Sequence, residues 1–481
     1  MPISYTRFAV STLCALMLTP MAVALAETQS TQKDQVSMAV TIYNQDLALV
    51  KDVRDIDLVR GEQALALREV SGQMRPETAL LRSLGRPDDF RVLEQNFDFD
   101  LLTPAKLLEK YVGKRVGIIK TNPQTGTESL VQAEVLAATQ GVVLRIGDRI
   151  ETGVPGRIVF DAVPENLRDQ PTLVTQLDVR RAGRERVELS YLTGGLSWQA
   201  DYVAELNADD TRLSLNGWVT LNNRSGTSYP KATLQLVAGD VNRAAQEMKM
   251  AVGALAMRDR AVAAEAPMQE QALFEYHLYT LDRPTTIADN QTKQVALLSG
   301  TSIPVVKQLV LQGNDYYFRS SYGDLGQKMK IGVYVEFKNR ESDGLGMPLP
   351  KGVVRVYKRD QQSRAQFVGE DRIDHTPKNE RVRLKLGDAF DVTADKKQTD
   401  FKVRKHTSQY HYAFESAYEI VLRNAKSEAV TVTVKEPVPG DWRMLSENHP
   451  HKKETAGAAR WAVTVPPNGQ ATLQYRVLVQ Y

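Results

Sequence analysis

A chain of 481 residues has room for about three domains and an ample core. With 42% hydrophobic and 25% charged residues it has the composition of an ordinary soluble globular protein. A net charge of only +3, with no concentrated basic footprint, excludes nucleic acid as the expected partner.

Residues 1–26 read as a signal peptide. Arg7 is a minimal positive n-region, the run from Phe8 to Ala26 is apolar apart from small hydroxyl residues and Pro20, and Ala24-Leu25-Ala26 supplies a small-x-small cleavage site before Glu27. The rival is an uncleaved anchor helix, because the run is near spanning length. Pro20 and the Ala-x-Ala site favour cleavage, so the expected location is periplasmic or secreted, with no transmembrane segment after signal cleavage. Cys14, the single cysteine, lies inside this segment. The mature chain is therefore expected to carry no disulfide and no thiolate metal ligand.

Residues 27–102 open a first β-sandwich domain. Three stretches within 36–70 alternate apolar and polar side chains, with turns at Asn44-Gln45-Asp46 and Arg60-Gly61-Glu62. Parity falters across Val50, Val53, Ile56 and Leu58, which predicts a bulge near Asp52–Asp55. Residues 103–164 read as a small β-barrel inserted in that domain. Thr103-Pro104-Ala105 offers an N-cap and a proline at the first helical position, and Gly113 is placed to end the short helix. Four closely spaced strands follow, broken at Asn122–Gly126, Gln140-Gly141 and Gly153–Gly156. Small barrels often bind peptides or nucleic acids, but fold alone assigns no function, and a structural insert is preferred. Residues 165–192 return the chain to the first domain through a hairpin at Arg181-Ala182-Gly183.

Residues 193–408 form a central β-rich domain. Trp198, Ala200, Tyr202, Ala204 and Leu206 fall on alternate positions, and Leu213, Leu215, Val219 and Leu221 repeat the pattern after a turn. Leu234 and Leu236 carry it on, which describes an antiparallel sheet with one buried face. Residues 243–270 are rich in Ala and Met and are broken by Gly253 and Pro267. A flexible insertion is expected there, in preference to a docking segment presenting Met248, Met250, Leu255 and Met257. Residues 409–481 have the strand count of an immunoglobulin-like sandwich, with a turn at Pro467-Asn468-Gly469. No exact internal repeat is visible.

Several passages resemble one bacterial family: TIYNQDLALV, YLTGGLSWQADYVAEL, LNNRSGTSYPKATLQLVAGDVNR, GVVRVYKRD with FVGEDRIDHTPKNERVRLKLGDAFDV, and EIVLRNAKSEAVTVTVKEPVPGDWRML with the ending ATLQYRVLVQY. Together they resemble the domain of unknown function carried by proteins similar to mucoidy inhibitor A. The resemblance covers most of 187–481 and, more loosely, the first domain. It implies an exported β-rich envelope protein and carries over no site residues. Coiled-coil segments that some relatives place between domains are missing from this sequence.

Candidate sites are few. Lys402, Arg404 and His406 alternate along FKVRKH and so share one strand face, where they would meet an anionic envelope polymer. Alternating charges also guard an exposed strand edge, and that is the preferred account. Trp218 sits opposite the leucines of its strand and is the candidate exposed platform for a sugar or a partner; Trp198 and Trp461 have core parity. His449 and His451 near Glu447 would make a loose metal site, but a solvent-exposed loop is preferred. Asp388, Asp391, Asp395 and Asp400 match no calcium-loop spacing and read as turn-forming aspartates. There is no H-E-x-x-H, G-x-S-x-G, P-loop or dinucleotide fingerprint. No catalytic residue, metal or cofactor is assigned.

The sequence thus predicts an all-β chain of tandem immunoglobulin-like β-sandwich domains with an inserted small β-barrel. The expected function is that of an exported, non-catalytic cell-envelope protein, a binding or scaffolding module whose partner is an envelope protein or a polysaccharide. The alternative is a carbohydrate-binding protein or a carbohydrate-active hydrolase using paired carboxylates such as Asp388 and Asp391, which must face one cleft about 5–10 Å apart. A third, an outer-membrane barrel, draws on the terminal alternation of Leu473, Tyr475, Val477, Val479 and Tyr481, and is disfavoured by charges on both strand parities.

Overall fold

A computed structural model describes residues 27–164, 167–239, 268–360, 362–404 and 410–481. Strand accounts for 66% and helix for 5%, arranged in several sheets, as the alternating patterns require. The signal segment 1–26 and residues 243–267 of the expected insertion lie outside the described residues. Residues 268–270 belong to the Met268–Leu273 strand, which pairs with Tyr276–Leu281. Among the described residues no helix is long and apolar enough to cross a membrane.

The chain divides into two compact units. The first takes residues 53–70 and 79–189 together with the described residues up to Val36. One sheet in it runs Glu27–Ser30, Gly61–Arg68, Thr172–Val179, Phe90–Asp98, with the first pair parallel and the others antiparallel. Arg54 is buried and donates to the Ser30 carbonyl at 2.9 Å and the Arg68 carbonyl at 2.8 Å, tying together the ends of two of these strands. Burial within Leu47–Leu58 loses its alternation at Asp52, Val53 and Arg54, where the sequence pattern falters.

The expected inserted barrel is corrected by the topology. Residues 115–159 make an open five-stranded antiparallel sheet, ordered Arg149–Thr152, Val143–Ile146, Glu128–Ala137, Arg115–Thr121, Arg157–Val159. Its two outer strands have four and three residues and pair only inward, so the sheet does not close. The helix Pro104–Lys110 starts as predicted, with the Thr103 hydroxyl accepting from the Lys106 amide at 3.2 Å. Leu108 and Tyr111 pack with Val116, Ile118, Ala133, Val135 and Leu144 in a core of the insert's own. Tyr111, not Gly113, is the C-cap; its hydroxyl donates to the Ala162 carbonyl at 2.7 Å.

The second unit holds residues 37–52, 71–78 and 190–481. Its long sheet runs Ala365–Ile373, Gly352–Arg359, Leu196–Leu206, Arg212–Asn223, Gln291–Gln312, Asp324–Lys338, Arg381–Arg404, Ala413–Asn424, Gly469–Gln480, Asp441–Glu447. Val430–Pro437 branches from Gln291–Gln312 and pairs with Ala458–Val465. Trp198, Ala200, Tyr202, Ala204 and Leu206 are all buried, as their parity requires. Tyr202 lies opposite Gly217, where a side chain would press on its ring and on Leu298. The Tyr202 hydroxyl donates to the Pro350 carbonyl at 2.8 Å.

Three buried asparagines in this unit occupy equivalent places. Asn223 and Asn424 end their strands and Asn339 directly follows Asp324–Lys338. Each Nδ2 donates across to two consecutive carbonyls of a returning turn: Ile287 and Ala288, Thr376 and Pro377, Val465 and Pro466. Each also donates at 2.8 Å to a carbonyl of its own loop, on Thr227, Met347 or Glu428. Every returning turn then places an asparagine in the left-handed region: Asn290, Asn379 and Asn468, with φ of 53°, 68° and 45°. Asparagine tolerates that conformation better than other non-glycine residues. The same asparagine-capped motif therefore occurs three times in the unit.

Candidate functional site

The sequence-predicted cations lie on the outer face of the last sheet strands. Lys402 and Arg404 are at the end of Arg381–Arg404, opposite Glu415 and Ala413 of the next strand. The pairing of Arg381–Arg404 with Asp324–Lys338 stops at Lys397. Beyond Gln398, the described strand pairs only with Ala413–Asn424, so Lys402 and Arg404 lie where its other side has no paired strand among the described residues. His406 lies outside the described residues.

Neither cation stands alone. Lys402 Nζ is 3.0 Å from Asp400, and Arg404 forks onto the Glu415 carboxylate. Arg476, two strands away, bridges both acids at 2.8 Å and 2.7 Å. Hydrogen bonds from Lys402 and Arg476 hold the Asp400 carboxyl below its usual range, and those from Arg404 and Arg476 do the same for Glu415. Beside this network is a shallow cavity of about 390 Å³ lined by Thr399, Glu419, Glu447, Asn448, Gln474 and Arg476 among others. Its chemistry is mixed in sign, which suits hydrogen-bonding hydroxyls or amides better than a polyanion.

Glu447 is held from behind. Both its oxygens are 3.0 Å from His451 Nδ1, and Trp461 Nε1 donates to it at 2.9 Å. Burial pushes its carboxyl up, but the bonds from His451 and Trp461 outweigh that and leave it lowered. His449 turns instead to Asn448. No group of three metal-ligating side chains occurs among the described residues.

Trp218 lies on a different part of the same unit. It pairs with Asp201 and Ala296 and is 40% exposed, whereas Trp198, Trp442 and Trp461 are buried. The strand register puts Val203, Arg355, Tyr357 and Phe367 on the same outer face. Val203 and Phe367 are also exposed, and Tyr357 meets Phe367 edge-on with centroids 5.7 Å apart. Asp201 anchors the face, bonded to Arg355 at 3.0 Å and to Thr220 at 2.8 Å.

The aspartate cluster is corrected. Asp388, Asp391, Asp395 and Asp400 all lie within one 24-residue strand, not in turns. The strand faces three of them to cations: Asp388 to Lys330 at 3.6 Å, Asp395 to Arg423 at 2.5 Å and Asp400 to Lys402 at 3.0 Å. Neither Asp388 nor Asp391 lines the cavity above or the second one, which is in the first unit beside Asp55, Arg184 and Arg186. Sequence reasoning missed Arg476 and Glu415, because their partnership depends on register across separate strands.

These features define a class: a predominantly β chain of open, extended sheets whose polar outer faces carry a few exposed aromatic side chains. Residues 187–481 match the model of a domain of unknown function, DUF4139, and the chain belongs to that family. No curated protein matches the chain.

Proposed function

We propose that the chain is an exported, non-catalytic binding or scaffolding module of a cell envelope, related to mucoidy inhibitor A, and that its three asparagine-capped motifs mark tandem immunoglobulin-like sandwiches. The observation that carries the binding role is the Trp218 face. One tryptophan is left exposed while three are buried, and it is accompanied by exposed Val203 and Phe367 across neighbouring strands. Exposed apolar groups interspersed with ion pairs are compatible with a binding surface. The signal-like segment 1–26 supports export.

The same tryptophan favours a second ligand class, a polysaccharide, since indole faces stack on sugar rings. Calorimetric titration of the purified protein with envelope glycan fragments tests it. A saturable heat change that Trp218→Phe abolishes supports glycan binding, and no heat change at any fragment concentration rejects it. The paired-carboxylate hydrolase gains no support from Asp388 and Asp391, which lie outside both cavities.

A further inference from the structure

The core around Tyr418, Trp461 and Tyr475 contains a lysine and a glutamate that pattern alone would put in solvent. Val392, Ala394, Lys396 and Gln398 point inward on one strand, and Val432, Val434 and Glu436 on another. These two strands do not pair with each other in the sheet, so a Lys396–Glu436 contact crosses the core. Nζ and Oε1 are 2.7 Å apart, with side-chain exposures of 1% and 0%. Tyr317 and Tyr418 rings flank the ammonium position at 4.1 Å and 5.2 Å, and Tyr475 stacks on Trp461 in the same cluster. The second oxygen of Glu436 has no hydrogen-bond partner, and a side chain at Gly313 would collide with it. The Tyr475 hydroxyl is buried and unpartnered as well.

An ion pair is poorly served by such a site. Burial is the largest influence on both groups, lowering the lysine and raising the acid, so each is driven toward its neutral form. A neutral amine beside a carboxylic acid, held in contact and shielded from water, is the reactant pair of amide condensation. A sequence with one cysteine has no intrachain disulfide available to it.

We propose that Lys396 and Glu436 join in an intramolecular isopeptide bond that staples two strands across the core. Nζ attacks Cδ of the acid, the Cδ–Nζ bond forms and the Cδ–Oε2 bond breaks. The departing hydroxyl takes one proton from Nζ and leaves as water. No oxidant, nucleotide or metal is consumed, and the neutral amide replaces two groups that the site desolvates.

The test is the mass of the full purified chain in denaturant, with its amino terminus defined by sequencing. The expected result is a deficit of one water molecule and, after digestion, a branched peptide joining the Lys396 and Glu436 segments. Lys396→Met and Glu436→Leu should each restore the full mass. Should either variant fail to fold, the wild-type digest alone still decides. A full wild-type mass, with linear peptides and a Lys396 amine open to acylation once unfolded, overturns the proposal.

Discussion

Replacing Asn424 by alanine should cost about 3 kcal/mol, from loss of two or three net hydrogen bonds and the stranding of buried backbone groups. The side chain is buried and donates at 2.8 Å to the Glu428 carbonyl and at 3.0 Å to that of Pro466, while its oxygen accepts from the Lys426 amide at 3.0 Å. Alanine leaves all three without that partner and unlinks the loop after Ala413–Asn424 from the turn at Pro466. Hydrogen exchange is the suitable assay, because a chain of two units need not unfold in one step. Peptides covering 424–430 and 464–470 should exchange faster, with the first unit unchanged. Asn424→Asp supplies a check on sign. A carboxylate facing carbonyl oxygens has its folded-state pKa raised above the unfolded value. The contribution of that aspartate is therefore most favourable below the unfolded pKa of about 4 and is lost as pH rises through the folded value. Protection in Asn424→Asp should approach the wild type on acidification. Exchange within about 0.5 kcal/mol of wild type for Asn424→Ala, or an Asn424→Asp defect that deepens with acid, refutes the capping role.

Other outcomes follow from the same geometry. Asn223→Ala and Asn339→Ala should loosen the turns at Ile287 and Thr376 by a similar amount, read as local exchange at each turn. Trp461→Ala should destabilise by about 3–5 kcal/mol, since it empties a fully buried site and releases Glu447 from its indole donor; a thermal melt measures it. Burial raises the Asp201 carboxyl, but the bonds from Arg355, Thr220 and Gln199 outweigh it and leave the folded-state pKa lowered. Its contribution is thus present above the unfolded pKa of about 4 and lost as pH falls through the folded value. Unfolding followed from pH 6 to pH 3 should be less acid-sensitive in Asp201→Asn than in wild type. Trp218→Phe should change stability by less than about 0.5 kcal/mol and remove the component of tryptophan emission most readily quenched by acrylamide.

Strand periodicity was the legible part of the fold. The alternation from Trp198 to Leu206 and the break of parity at Asp52 to Arg54 both appear where the pattern puts them. The start of the helix at Thr103-Pro104 was equally plain. Closure of the insert was not, because pairing of its first and last strands depends on length and twist, which alternation does not encode. The aspartates from 388 to 400 looked like turns because Asp favours turns. A neighbouring strand bearing Lys330 and another bearing Arg423 make Asp388 and Asp395 tolerable in mid-strand. Trp218 was placed outside by parity alone, and it is exposed. Arg476 and Glu415 join Lys402 and Arg404 only through register between segments far apart in sequence. Lys396 and Glu436 were read past for a related reason: a charged residue at core parity gives no sign of its partner. The asparagine motif left a faint signal, an Asn at a strand end and a second Asn in the return turn, too short to register as sequence identity.

The binding role is tested most directly in the living envelope. A photo-reactive amino acid at position 218, compared with one at the buried position 461, should capture one recurrent protein or glycan from position 218 alone. Capture of nothing from position 218, or equal capture from both positions, would contradict the assignment of that face as the binding surface.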